Sequence, residues 1–159
     1  MRVDVRIVFC GVAILALSAS GGFVAAQDQS PAAIIKARQA HLKELGGAMK
    51  AIGDQLKSGA VDNAAVTTAA GKIDLLAKDL PNWFPAGTGP EAGVKTAAKP
   101  EIWANPADFK AAADRLADEA EQLVAVAAMG DAAAIGGQFQ ATGKACGNCH
   151  KQFRVPDEH

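Results

Sequence analysis

Apolar side chains recur every three or four positions in four stretches, separated by glycine, proline and short polar runs. That rhythm lays them along one face of a helix. The first stretch opens at Ser30-Pro31, a capping hydroxyl followed by proline at the first helical position. It carries Ile35, Arg38, Leu42, Leu45, Met49, Ile52 and Leu56 in one row and ends at Ser58-Gly59. The second runs from about Asp62 to Leu80 through Val66, Ala69, Ile73 and Leu76, and Pro81 stops it. The third starts at Asn105-Pro106-Ala107-Asp108, an asparagine cap with a carboxylate in the first turn. Its row is Phe109, Ala113, Leu116, Ala120, Leu123 and Ala127, closed by Gly130. The fourth starts at Asp131, carries Ile135, Phe139, Thr142, Cys146, Cys149 and Phe153, and is predicted to end at Pro156. Arg38 alone does not suit an apolar row.

Residues 81–104 form a Pro/Gly-rich connection flanked by Trp83, Phe84, Ile102 and Trp103, whose side chains are expected to pack its ends onto the helices. A connection of that length is usually functional or disordered. With short links elsewhere, the pattern predicts an all-α fold, an antiparallel up-down-up-down four-helix bundle with first and last helices adjacent. At ~1.5 Å per residue, Leu42 lies about 16 Å from the start of helix one and residue 150 about 10 Å from the end of helix four. Both therefore belong to one end of the bundle.

The 26 residues before this pattern are of another kind. A short basic start, an apolar run from Ile7 to Leu17 and Val24-Ala25-Ala26 before Gln27 read as a secretory signal peptide over residues 1–26, too short to span a membrane. Cys10 is removed with it. Residues 27–159 then make one domain exported to the bacterial periplasm, with no membrane span after cleavage. Without Arg2, Arg6 and Asp4, the 16 basic and 17 acidic side chains become 14 and 16, a formal charge of −2. That balance gives no reason to expect nucleic acid or an anionic membrane surface as a partner.

Chemistry concentrates at Cys146-Gly147-Asn148-Cys149-His150. C-x-x-C-H reads as a haem c attachment site. Thiols at i and i+3 share a helix face and reach the two vinyl groups on one porphyrin edge, and the adjacent His150 swings under the ring to bind iron. A tetrahedral zinc site needs four ligands, and the exported chain has only His41 and His159 beyond this motif. A dithiol redox pair would sit near a βαβ pattern, and nothing here reads as strand. Both cysteines fall on the apolar row, so one covalent haem c faces the bundle interior, between the first and last helices.

At this point the chain resembles the class II c-type cytochromes, the cytochrome c′ family, over essentially its whole mature length. Cys146–His150 at the far C-terminus, Arg38-Gln39-Ala40-His41-Leu42, Met49-Lys50-Ala51-Ile52-Gly53, Leu80-Pro81-Asn82-Trp83-Phe84-Pro85 with Gly87-Thr88, and Pro100-Glu101-Ile102-Trp103 carry the likeness. The resemblance implies that the residue four after the helix-one arginine roofs the distal face of the iron. Methionine there makes a six-coordinate electron carrier; here it is Leu42, which cannot donate to iron. The resemblance thus implies a five-coordinate, high-spin, His150-ligated iron that exchanges electrons with small redox proteins and binds NO or CO, rather than an enzyme. It also implies propionate contact for Arg38 and Gln39, an influence of Arg154 on the proximal face, and a homodimer as an option, although no seam is clearly intermolecular.

Other readings stand beside these. A six-coordinate, low-spin electron carrier needs His41 or a methionine as second ligand. His41 points about 100° from Leu42, Met49 lies ~10 Å further along the axis, and Met129 reads as packing. A buried arginine either meets an anion or snorkels outward. Arg154, four residues after His150, equally suits a cation at a helix C-terminus. Thr88 and Glu91 are further candidates for the haem edge. Gly46, Gly47, Gly136, Gly137 and Gly143 each weaken a helix by ~1 kcal/mol, which close helix or porphyrin approach would justify.

Overall fold

The computed structural model describes residues 29–156; the expected signal peptide, Cys10 and His159 lie outside the described residues. Four long helices make the bundle: α1 (Pro31–Ser58), α2 (Asn63–Asp79), α3 (Pro106–Met129) and α4 (Ala132–Phe153). Among the described residues none of the helices is long and apolar enough to cross a membrane.

The predicted caps govern the entries. Ser30 Oγ accepts from Ala33 N at 3.2 Å, Asp62 Oδ1 from Ala64 N at 2.9 Å, and Asp131 Oδ1 from Ala134 N at 2.7 Å. Each satisfies an amide that the helix leaves without a partner. Gly59 and Gly130 close α1 and α3 at φ +71° and +73°, a conformation that costs glycine nothing. Asn105 differs from expectation: its side chain makes no capping bond. It also ends a single helical turn, Glu101–Ala104, donating its amide to Glu101 O at 2.9 Å, and this shared role sets its backbone.

Two helix ends also differ. α2 stops at Asp79 and the chain tightens through Pro81 into a 3₁₀ turn, Leu80–Trp83. α4 ends at Phe153, before Pro156, because Arg154 turns extended and pairs antiparallel with Ala98. A long-range backbone pairing, invisible in local sequence, ends the helix there.

Neighbouring helices run antiparallel throughout. Gln55 Oε1 receives Asp62 N at 2.9 Å across the α1–α2 link, Thr67 on α2 faces Ala127 on α3, and Gln138 on α4 reaches Glu119 on α3. The core follows the predicted rows, with Ile35, Leu45, Ile52, Val66, Ile73, Leu123 and Ile135 all buried. All six predicted α3 positions are buried, each large aliphatic one contributing about 1.5–3 kcal/mol. On α2 the buried positions drift to Ala70 and Ala77, since a 3.6-residue period does not keep a fixed step. Met129 departs outright: it is 69% exposed at the α3 end, past the last core layer.

The long connection is ordered. The ring of Phe84 meets Phe109 edge-on at 4.9 Å, and Phe109 meets Phe153 at 5.3 Å. Trp103 Nε1 donates to Phe84 O at 3.0 Å. Its aromatic ends pack on the bundle as their placement in the chain predicts.

Candidate haem site

Residues of α1 and α4 line a cavity of about 570 Å³ at one end of the bundle, within the usual range for a cofactor pocket. From α4 it is lined by Cys146, Cys149, His150 and Phe153, from α1 by Arg38, Gln39, Leu42 and Met49, and from α3 by Phe109 and Leu116. The connection adds Thr96, Ala97 and Ala98. The wall is overwhelmingly hydrocarbon, with cations and the Cys-x-x-Cys-His motif at its edges. Two thiols, one imidazole and an apolar cavity are the donor set and surroundings that haem c needs.

Cys146 and Cys149 are free thiols, partly buried on the cavity side of α4. Burial raises the pKa of Cys146, and burial together with the neighbouring Cys146 pushes Cys149 up to about 11. A thiol–disulfide catalyst needs the opposite shift, toward thiolate. Among the described residues no cluster of three or more His, Cys, Asp or Glu side chains is placed to hold a bare metal ion. The raised thiol pKa values suit thioether attachment better than thiol–disulfide catalysis.

Leu42 is 37% exposed, an unusual state for an aliphatic side chain on an apolar row. It lines the cavity, as does His150 from the opposite wall. His41, the rival ligand, packs instead on Trp83 with ring centroids 4.8 Å apart and is not part of the lining. Trp83 is held in turn by its Nε1 donating to Asp79 Oδ2 at 2.8 Å. Met49 does line the cavity, whereas Met129 sits at the far end of the bundle.

Arg38 is only 2% exposed, so it does not snorkel. Its Nη1 donates to Thr88 Oγ1 at 3.1 Å, and its Nη2 donates to Thr88 O and Thr96 Oγ1, each at 3.0 Å. The guanidinium lies 4.6 Å from the Phe84 ring centroid and 6.0 Å from that of Trp103. Burial pulls its pKa down. Among the described residues no carboxylate pairs with it; every acceptor is a neutral oxygen. Gln39 Nε2 donates to Lys95 O at 3.0 Å on the surface side.

The other candidates divide. Thr88 is buried behind Arg38 and donates to Pro85 O at 2.7 Å, while Glu91 accepts from Gly89 N at 3.1 Å; neither lines the cavity. Arg154 lines it, but from an extended residue beyond the helix, so its spacing from His150 does not place the two on one helical face. The five singled-out glycines have no protein atom within 4 Å of an added Cβ, so close helix approach does not explain them. Gly46 and Gly143 face the cavity, where a Cβ would take up cofactor space. The glycine that does bring helices together is Gly53, which the apolar row passed over. Its place in the Met49-Lys50-Ala51-Ile52-Gly53 run, part of the family resemblance, was its signal in the sequence.

Four antiparallel helices opening around a terminal C-x-x-C-H motif define a c-type cytochrome built on a helical bundle. Comparison with known proteins agrees: the family model described as Cytochrome C′ matches residues 33–154. A cytochrome c′ of Rhodospirillum rubrum is 38% identical over 143 residues, 89% of this chain and 95% of that protein. A cytochrome c-556 of Agrobacterium tumefaciens is 36% identical over 126 residues, covering 76% and 96%. The crystal structure of cytochrome c′ from Thermochromatium tepidum superposes with a TM-score of 0.76 at 33% identity over 81% of this chain and 99% of that one. A nitric oxide complex of a cytochrome c prime mutant from Alcaligenes xylosoxidans gives 0.73 at 25% identity, over 80% and 98%. The chain belongs to the cytochrome c′ family, a group of monohaem c-type cytochromes, and carries one covalently attached haem c.

Proposed function

We propose that this chain is a periplasmic cytochrome whose iron is bound by His150, joined through Cys146 and Cys149, and left five-coordinate beneath Leu42. When bound, the haem supplies a one-electron couple and an open coordination position for NO or CO. The observation that carries the reading is that Leu42 and His150 line opposite walls of one cavity while His41 is engaged with Trp83. Leu42 excludes water and offers no hydrogen bond, a setting that admits NO or CO and does not steady O₂. Arg38 receives a propionate: its buried charge has no anion among the described residues, and Nε–H and one Nη1–H are left over from the three hydrogen bonds described. Gln39 flanks that position, and Arg154 guards the proximal edge. The nitric oxide complex solved for the Alcaligenes protein supports the gas-binding side of the reading.

A six-coordinate carrier has one observation in its favour, the presence of Met49 in the lining. An absorption spectrum of the ferrous protein with and without CO separates the two. Broad high-spin bands that sharpen on CO addition are expected; sharp low-spin bands indifferent to CO overturn the five-coordinate reading.

A further inference from the structure

Residues Thr96–Lys99 touch both walls of the cavity. On the α1 side, Thr96 Oγ1 accepts from Arg38 Nη2 at 3.0 Å and from Ala98 N at 3.2 Å. On the α4 side, Ala98 pairs with Arg154. Lys99 N donates to Phe153 O at 2.9 Å, and Val155 N donates to Ala97 O at 2.8 Å. Lys99 Nζ also reaches Lys151 O at 3.2 Å. The last carbonyls of a helix lack intrahelical donors, so this segment supplies donors to two carbonyls immediately beyond His150. A continuous hydrogen-bonded path thus runs from Arg38 on α1, through Thr96, to the last turn of α4.

We propose that Thr96–Lys99 is a strap by which the distal wall sets the seat of His150, with Thr96 as its positioning residue. Thr96 lines the cavity, and its hydroxyl holds Arg38 and the turn at Ala98 in one geometry. Ala98 and Lys99 then hold the end of α4 against rotation. The proposal rests on His150 being the axial ligand.

The test uses the haem-loaded full chain as wild type, Thr96→Val, Thr96→Ser and Thr88→Val. Valine keeps the shape of Thr96 and removes its acceptor, serine restores the acceptor, and Thr88→Val removes a different acceptor of Arg38 while leaving the strap bonds in place. Thr96→Val is expected to shift the ferrous iron–histidine stretching band and to speed amide exchange at Lys99 and Val155 by about fivefold relative to core amides of α2. Serine should return both readouts to the wild-type values, and Thr88→Val should move neither. A band unmoved by Thr96→Val, or moved equally by Thr88→Val, overturns the strap. No iron–histidine band in the wild type, as in a six-coordinate ferrous haem, overturns the five-coordinate reading and not the strap, which the exchange of Lys99 and Val155 amides in Thr96→Val then decides. Should Thr96→Val not fold, wild-type exchange decides: Lys99 and Val155 amides as fast as exposed loop amides overturn the proposal, and protection matching the last turn of α4 sustains it.

Discussion

A Cβ added to Gly53 on α1 would stand 3.2 Å from Cζ of Phe139 on α4. This contact fixes the register of the two helices that enclose the cavity. Eleven residues back along α1 is Leu42, and eleven residues forward along antiparallel α4 is His150, each about 16 Å from the contact. The two residues are therefore level, on opposite walls.

Gly53→Val is expected to force α1 from α4 and to cost about 1–3 kcal/mol, seen as a lower urea midpoint. Gly47→Ala is the contrasting change, because nothing lies within 4 Å of its added Cβ. It should stabilise α1 by up to about 1 kcal/mol. Equal midpoints for the two variants would show that Gly53 is not a packing contact.

Leu42→Met should convert the haem to a low-spin, six-coordinate state, since a thioether there lies level with His150 across the cavity. The ferric and ferrous absorption spectra report it directly. A spectrum unchanged from wild type would mean that residue 42 does not overhang the iron.

Arg38→Ala should lower the reduction potential. Removing a buried cation beside the haem, and leaving its propionate uncompensated, both favour the more positive ferric iron. Redox titration across pH measures the change. A potential identical to wild type at every pH would show that Arg38 serves only to hold Thr88 and Thr96.

Hydrogen bonds from Asn82 and Trp83 hold the Asp79 carboxyl below its usual pKa of 3.8. A depressed folded-state value contributes stability above the unfolded value, and that stability is lost as pH falls through the folded value. Wild type should therefore lose stability below pH 3.8 more steeply than Asp79→Asn, with Trp83 fluorescence as the probe. Parallel acid transitions in the two proteins would remove Asp79 from the account.

The helices and the attachment motif were legible because their causes are local. Ser30, Asp62 and Asp131 accept amides within three residues, Gly59 and Gly130 end helices by their own φ, and the apolar rows repeat within a turn. Cys146, Cys149 and His150 are adjacent in sequence, so their shared chemistry needs no fold to be seen. Tertiary structure alone decided what depends on distant partners. It placed Arg38 on Thr88 and Thr96, turned His41 to Trp83, ended α4 by pairing Arg154 with Ala98, and made Gly53 rather than Gly46 or Gly143 the helix contact. Those choices rest on which elements meet across the bundle, and periodicity along one helix carries no information about the side chains of another.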